Sequence, residues 1–290
     1  MPDDSALAAA FIGACEDELA ALKPGNVHQF ADGHGMTVAD FEASARAAAP
    51  GLARRNTRIG QRIFAATTAT QAACGCNTNL GIILLCAPLA AAANRLADRA
   101  EAVTADALAA ATRELLSELE IGDAALAYRA IALASPGGLG RVEQEDVHQQ
   151  PNVTLLAAMT LAAGRDRIAS EYALGYREIF DFALPLLHHR LAHDAPTQAT
   201  SLLFLALLAR APDSHLLRKF GDTAAQTVTR AAAGFLQRLE REDHTALCNE
   251  LLAWDKALKE SGWNPGTCAD LTVATLFAHR LCRPSTLPAL

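Results

Sequence analysis

A chain of 290 residues, 51% hydrophobic and 20% charged, has the composition of a folded globular protein and not of a disordered one. Its 32 acidic and 25 basic side chains leave a formal charge of −7, which argues against holding nucleic acid by blanket phosphate neutralisation. A small anionic ligand would need only a local basic pocket, and at roughly 150 residues per domain the length admits one or two domains. The longest apolar run, Leu80 to Ala93, is about 14 residues against the roughly 20 needed to span a bilayer, and Pro88 interrupts it. It reads as a buried core helix, with no membrane as partner. The start, Met1-Pro2-Asp3-Asp4, lacks the basic stretch and apolar core of a secretory signal, so the expected compartment is the cytoplasm. Seven cysteines, an odd number, are expected as reduced thiols, and Cys74-Gly-Cys76 lacks the two-residue spacer of a zinc clip.

Alanine and leucine dominate and apolar residues recur at helical spacing in almost every segment, so the expected fold class is all-α. Helices are expected at Ser5–Leu22, Thr37–Ala49, Thr57–Ala73, Asn79–Leu96, Thr104–Glu118 and Asp123–Ala134. After a break follow Val153–Ala163, Arg165–His193, Thr197–Ala209, Phe220–Arg241, His244–Lys259 and Cys268–Leu281. Thr37 with Asp40 three residues on is a capping-box variant, and Thr104 and Asp123 sit at further helix starts. With no Pro/Ser-rich linker and no repeat of fixed period, a single compact multi-helix domain spanning 1–290 is the simplest organisation.

Four loops with Pro-Gly or Asn-Gly chemistry run into helices: 23–28 (Lys-Pro-Gly-Asn-Val-His), 75–81 (Gly-Cys-Asn-Thr-Asn-Leu-Gly), 135–140 (Ser-Pro-Gly-Gly-Leu-Gly) and 264–271 (Asn-Pro-Gly-Thr-Cys-Ala-Asp-Leu). Glycine lets backbone N–H groups approach a ligand and a helix N-terminus adds partial positive charge, so such loops can converge on one polyphosphate. None is a Walker A sequence, and each alone is also an ordinary turn. Asn77, Asn79, Asn264 and Asp270 could bind Mg²⁺ or sugar hydroxyls, although Asn79 and Asn264 are also good helix caps. Arg54, Arg58 and Arg62 recur every four residues, which would place three guanidiniums on one helix face for phosphate oxygens, or form a solvated charged face. His28 and His34 bracket Asp32 in a loop able to supply a general base or metal ligands. The histidines at 188, 189 and 193 lack the glutamate of a zinc-protease helix and read as surface or core residues; Asp146 and His148 are weaker candidates. No nucleophile elbow is present, so covalent catalysis is not indicated.

Together, Lys23-Pro24-Gly25 with the Asp32–Met36 segment, Asn77-Thr78 with Gly81 before an apolar helix, and Pro265-Gly266-Thr267-Cys268-Ala269-Asp270-Leu271 resemble the triphosphoribosyl-dephospho-CoA synthase family. The resemblance implies an all-helical enzyme that transfers the 5-triphosphoribosyl group of ATP to a hydroxyl of dephospho-CoA and releases adenine, with Mg²⁺ as the metal. Carried over, Lys23 and the backbone at Gly25 and Gly266 would hold phosphates; Asn26, His28, Arg58, Arg62, Thr78, Asn79, Gly81, Asn264 and Thr267, from the same loops and the arginine stripe, are further candidate substrate contacts. Asn77 and Asp270 would orient the ribose or the metal, Asp32 and His34 would activate the acceptor, and Asp123 and Asp146 are candidate Mg²⁺ ligands. Breaking the N-glycosidic bond develops positive charge at the anomeric carbon, so a carboxylate is expected nearby, with a second base for the acceptor proton.

The chain departs from the family pattern: Asn79 and Leu80 stand where members commonly carry His-Lys, and Cys268 replaces a serine. It resembles a divergent branch found in organisms that make tetrahydromethanopterin, which suggests (phospho)ribosyl transfer to a pterin-linked acceptor as the alternative, from ATP or phosphoribosyl diphosphate. A nucleotide-binding module without catalysis and a metal-dependent hydrolase are the readings from other classes. A homodimer is compatible with alanine-rich helix faces.

Overall fold

The computed structural model describes residues 4–135, 147–239 and 244–282. Among them are fourteen α-helices and no strands. The first six are α1 (Asp4–Ala20), α2 (Val38–Ala53), α3 (Ile59–Cys74), α4 (Leu80–Asp98), α5 (Ala105–Ser117) and α6 (Ile121–Ala134). Then come α7 (Leu155–Ala162), α8 (Arg167–Leu174), a π-helical stretch Glu178–Ala183 continuing into α9 (Leu184–Leu191), and α10 (Pro196–Arg210). The last four are α11 (Ser214–Phe220), α12 (Asp222–Leu239), α13 (His244–Glu260) and α14 (Gly266–Cys282).

The expected starts at Thr37 and Thr104 are present: Thr37 and Asp40 form a reciprocal capping box and Thr104 Oγ1 accepts from Ala107 N–H. One expected helix is divided and one further helix precedes its expected start. The stretch from Arg165 to His193 breaks at Gly175 and Tyr176, which have φ of 66° and 63°, a left-handed geometry that ends a helix. Beyond the break the carboxylate of Glu171 accepts the N–H groups of Glu178 and Ile179 at 3.0 and 3.1 Å and starts the next segment. Gly221, with φ of 82°, separates α11 from α12, so α11 lies ahead of the expected start at Phe220.

The central element is α4. Its 19 residues are long and apolar enough by length and composition to cross a membrane, more than the uninterrupted run suggests, but most of that window is buried inside the protein. α4 packs against α3, α5 and α14, and α14 packs in turn on α1 and α10. Pro88 inside α4 has no N–H to give the carbonyl of Leu84. The hydroxyl of Tyr172 supplies the missing donor at 2.7 Å, and that of Tyr176 reaches the Leu85 carbonyl at 2.9 Å. Both tyrosines are buried, so a broken backbone bond in one helix is what docks α8 against it.

Candidate functional site

A cavity of about 770 Å³ opens between these helices. Asn26, Asn77, Thr78, Gly81, Asn264, Gly266, Thr267 and Asp270 line it, so three of the four glycine loops reach one place. The fourth, with Asp146, lies outside the described residues. The walls differ in character. α6 and α7 contribute Tyr128, Ile131, Leu155, Ala158, Met159, Leu161 and Ala162, whereas the start of α8 and α11 contribute Arg165, Asp166, His215 and Arg218. First-turn residues of α4, α8 and α14 also border it, and helix N-termini favour anions.

Asp270 is the carboxylate of α14 that faces this space, and it has no hydrogen-bond partner among the described residues. Burial, reinforced by the charges of Asp213, Glu18 and Asp166, pushes its carboxyl well above the usual range. Gly81 makes room for it: a Cβ at residue 81 would stand 2.1 Å from Asp270 Oδ2. Gly266 similarly admits His215, whose Nδ1 would be 2.9 Å from a Cβ there. Burial, with Arg218, Lys219 and His34 adding to it, pulls the His215 imidazole down to about 4, so it is neutral at pH 7.

Asp213, fully buried, ties the two sides together. Its Oδ1 accepts from the N–H groups of His215 and Leu216 at the start of α11, and its Oδ2 accepts from Cys268 N–H at the start of α14. One side chain therefore caps two helices whose first turns border the cavity. Cys268 lies within this network, with its sulfur 3.1 Å from Arg167 Nη1, and so takes a polar partner as a serine would.

Several expected residues lie elsewhere. Lys23 is 0% exposed and its ammonium is spent on Glu18, Asn26 Oδ1 (3.0 Å) and the Val27 carbonyl (2.7 Å), leaving no donor for a phosphate. Gly25 has φ of 85° and approaches Trp263 and Pro265 closely; its N–H donates to Asp255, as does Lys259, while His28 Nε2 is 3.3 Å from the same carboxylate. This buried cluster anchors the 23–28 loop from α13, and Asn26 Nδ2 completes the anchor on Asn264 Oδ1 at 2.8 Å. Asp32 is exposed and caps α2 through Val38 N–H, and His34 Nε2 is 2.8 Å from the Gly25 carbonyl; neither borders the cavity.

The arginine stripe does not form, because α3 begins only at Ile59. Arg54 precedes the helix, Arg58 pairs with Asp123 at 2.7 Å, and Arg62 is buried with its guanidinium on the carbonyls of Thr57 and Leu52. Asp123 is consumed by Arg58 and by the N–H groups of Gly60 and Glu120, a capping arrangement with nothing left for a metal. Asn77, not Asn79, caps α4, taking Leu80 N–H at 3.2 Å. Asn264 is not a cap either, since its oxygen serves Asn26. Asn79 is buried with both amide atoms unpaired, beside a small void it shares with Glu18 and Ser44.

Sequence reasoning missed Glu18, Arg165, Asp166, His215 and Arg218. Glu18 was detectable: Leu7, Phe11, Ala14 and Cys15 mark the buried face of α1, and residue 18 continues that period with a carboxylate. The others required knowing that α11 exists and that α8 begins at the cavity.

An all-helical fold with three glycine loops converging on one cavity, bordered by two guanidiniums and by a carboxylate without a hydrogen-bond partner among the described residues, defines a helical protein with a mixed polar and apolar ligand cleft. The profile of the ATP:dephospho-CoA triphosphoribosyl transferase family matches residues 4–288, nearly the whole chain. The chain belongs to this family and is a pentosyltransferase, moving the triphosphoribosyl group of ATP to dephospho-CoA. A crystal structure described as a triphosphoribosyl-dephospho-CoA synthase from Archaeoglobus fulgidus shares the fold, with a TM-score of 0.64 and 24% identity over 81% of this chain and 96% of that one. None of the curated proteins matches.

Proposed function

We propose that the 770 Å³ cavity is where this transfer takes place, with the whole chain acting as one transferase unit in the cytoplasm. The observation that carries the reading is Asp270, a half-buried carboxylate without a hydrogen-bond partner among the described residues, held against Gly81 at the meeting point of three glycine loops. Arg165 and Arg218, with the first turns of α4, α8 and α14, take the triphosphate. Asn26, Asn77, Thr78, Asn264 and Thr267 supply hydrogen bonds to ribose hydroxyls, and neutral His215 can bond a purine nitrogen. The apolar wall from α6 and α7 receives the acceptor. This arrangement also compensates for the altered loop: the cations absent at Asn79 and Leu80 are provided from α8 and α11.

Four carboxylates (Glu18, Asp166, Asp222, Asp270) and two guanidiniums border the cavity, with Asp166 paired to Arg218 at 3.4 Å, an acid surplus that suits a nucleotide arriving with Mg²⁺ better than a bare one. No cluster of three or more His, Cys, Asp or Glu side chains forms a metal cage among the described residues, in keeping with a cation that keeps its waters and substrate phosphates as ligands. Asp270 would hold it, and when bound it would neutralise charge on the phosphate oxygens.

Adenine release from ATP, followed by chromatography with Mg²⁺ and with or without dephospho-CoA, tests the proposal. Release that depends on dephospho-CoA and is abolished in Asp270→Ala is expected. Full activity of a folded Asp270→Ala protein would remove the cavity from the reaction, and release with a pterin-linked polyol alone would move the acceptor to the second reading.

A further inference from the structure

Transfer to a hydroxyl needs a group that takes the hydroxyl proton, and Asp32 and His34 both lie away from the cavity. We infer that Glu18 is the general base of the transfer, with Lys23 as its positioning partner. Resting on the reading above, the inference adds a catalytic residue to that site.

The geometry is specific. Glu18 comes from the buried face of α1 and lines both the main cavity and the small void beside Asn79. Its Oε1 accepts the Lys23 ammonium, while Oε2 has no hydrogen-bond partner among the described residues. Lys23 is in turn fixed by Asn26 and the Val27 carbonyl, so the carboxylate cannot swing toward solvent without breaking a buried ion pair. The result is a carboxylate held from behind, with its second oxygen unused. Burial pushes the Glu18 carboxyl above its usual range and the bonded Lys23 ammonium offsets this in part, which raises its proton affinity as a base requires. Asp270 has no hydrogen-bonded cation among the described residues, Arg218 acting on it through its charge, and the two carboxylates in one cavity thereby acquire different roles.

In the step, the acceptor oxygen bonds to ribose C1′ as the C1′–N9 bond breaks, and the N9 electron pair leaves with adenine. The hydroxyl proton passes to Glu18 Oε2, and adenine leaves with one proton taken from the site or from water, so that charge and protons balance. Positive charge developing at C1′ is met by the surrounding carboxylates.

The test compares adenine release by wild type, Glu18→Gln and Glu18→Asp, with ATP binding and thermal unfolding measured on each. Glu18→Asp keeps a charge for Lys23 while drawing the carboxylate back, so it reports even where Glu18→Gln does not fold. Turnover with dephospho-CoA should fall by about 10²–10⁴-fold with the KM for ATP changed less than about threefold. Sodium azide, a nucleophile with no proton to lose, should restore adenine release to Glu18→Gln or Glu18→Asp but not to Asp270→Ala. Variants that turn over like wild type, or that bind ATP yet gain nothing from azide, overturn the assignment alone. No adenine release by wild type with either nucleophile overturns both this inference and the function it rests on.

Discussion

The carboxylate of Asp270 rests on the α-carbon of Gly81, so close that a β-carbon there would lie 2.1 Å from Oδ2 and 2.5 Å from Cγ. This contact joins the first turn of α14 to the first turn of α4 and sets where the carboxylate points. Ile168 Cδ1, at 2.9 Å from the same position, closes the third side.

Gly81→Ala should therefore fold but work poorly. Alanine favours a helix over glycine by about 1 kcal/mol, and the clashing atoms are side-chain ends that can move, so the unfolding temperature should change by only a few degrees. Displacing Asp270 by an ångström should lower turnover on the order of 10²-fold. Calorimetry with adenine-release kinetics would show this separation, and normal turnover in the Gly81→Ala enzyme would mean that the carboxylate's position is not limiting.

Asp270→Asn should raise stability at pH 7 while removing activity, because it takes away a carboxyl whose surroundings disfavour the charged form that the unfolded chain holds at that pH. Urea unfolding of the free protein is the measurement, and a loss of stability would show that Asp270 has a structural partner.

Lys23 should behave in the opposite way. Lys23→Met leaves Glu18 buried and unpaired, a change that costs about 3–5 kcal/mol. Thermal unfolding should fall sharply, and the variant's ATP affinity, measured where it remains folded, should fall far less than expected of a phosphate ligand.

Asp213→Ala removes the caps of α11 and α14 together. At about 1 kcal/mol per cap, and more for the buried network with Arg167, the loss should be roughly 2–4 kcal/mol in urea unfolding. A loss under about 1 kcal/mol would mean that the two caps are dispensable.

His215 gives the acid limb of stability. Its folded pKa, about 4, lies below its ordinary value near 6.5, so the unfolded chain binds the extra proton between them. Stability is full above about pH 6.5 and is lost as pH falls toward 4. His215→Asn should flatten that part of the stability–pH curve, which denaturation at pH 7, 6, 5 and 4 would reveal.

Much of this protein could be read without its fold. Helical periodicity follows from side-chain spacing alone, which is why the helix at Thr104 or the core run at Leu80 could be recognised, and the glycine loops declare themselves through backbone chemistry. The family resemblance rests on those same local strings. What only the tertiary structure decided is which charged side chains are spent and which face open space. Lys23 and Asp123 look like ligands in the chain and are consumed by partners 5 and 65 residues away, whereas Glu18, ordinary in its acidic stretch, faces the cavity. The physical reason is that burial and pairing depend on distant segments. Asp213 reaches 55 residues ahead to cap α14, and Asp270 finds its place in the cavity because glycine at residue 81 leaves it room.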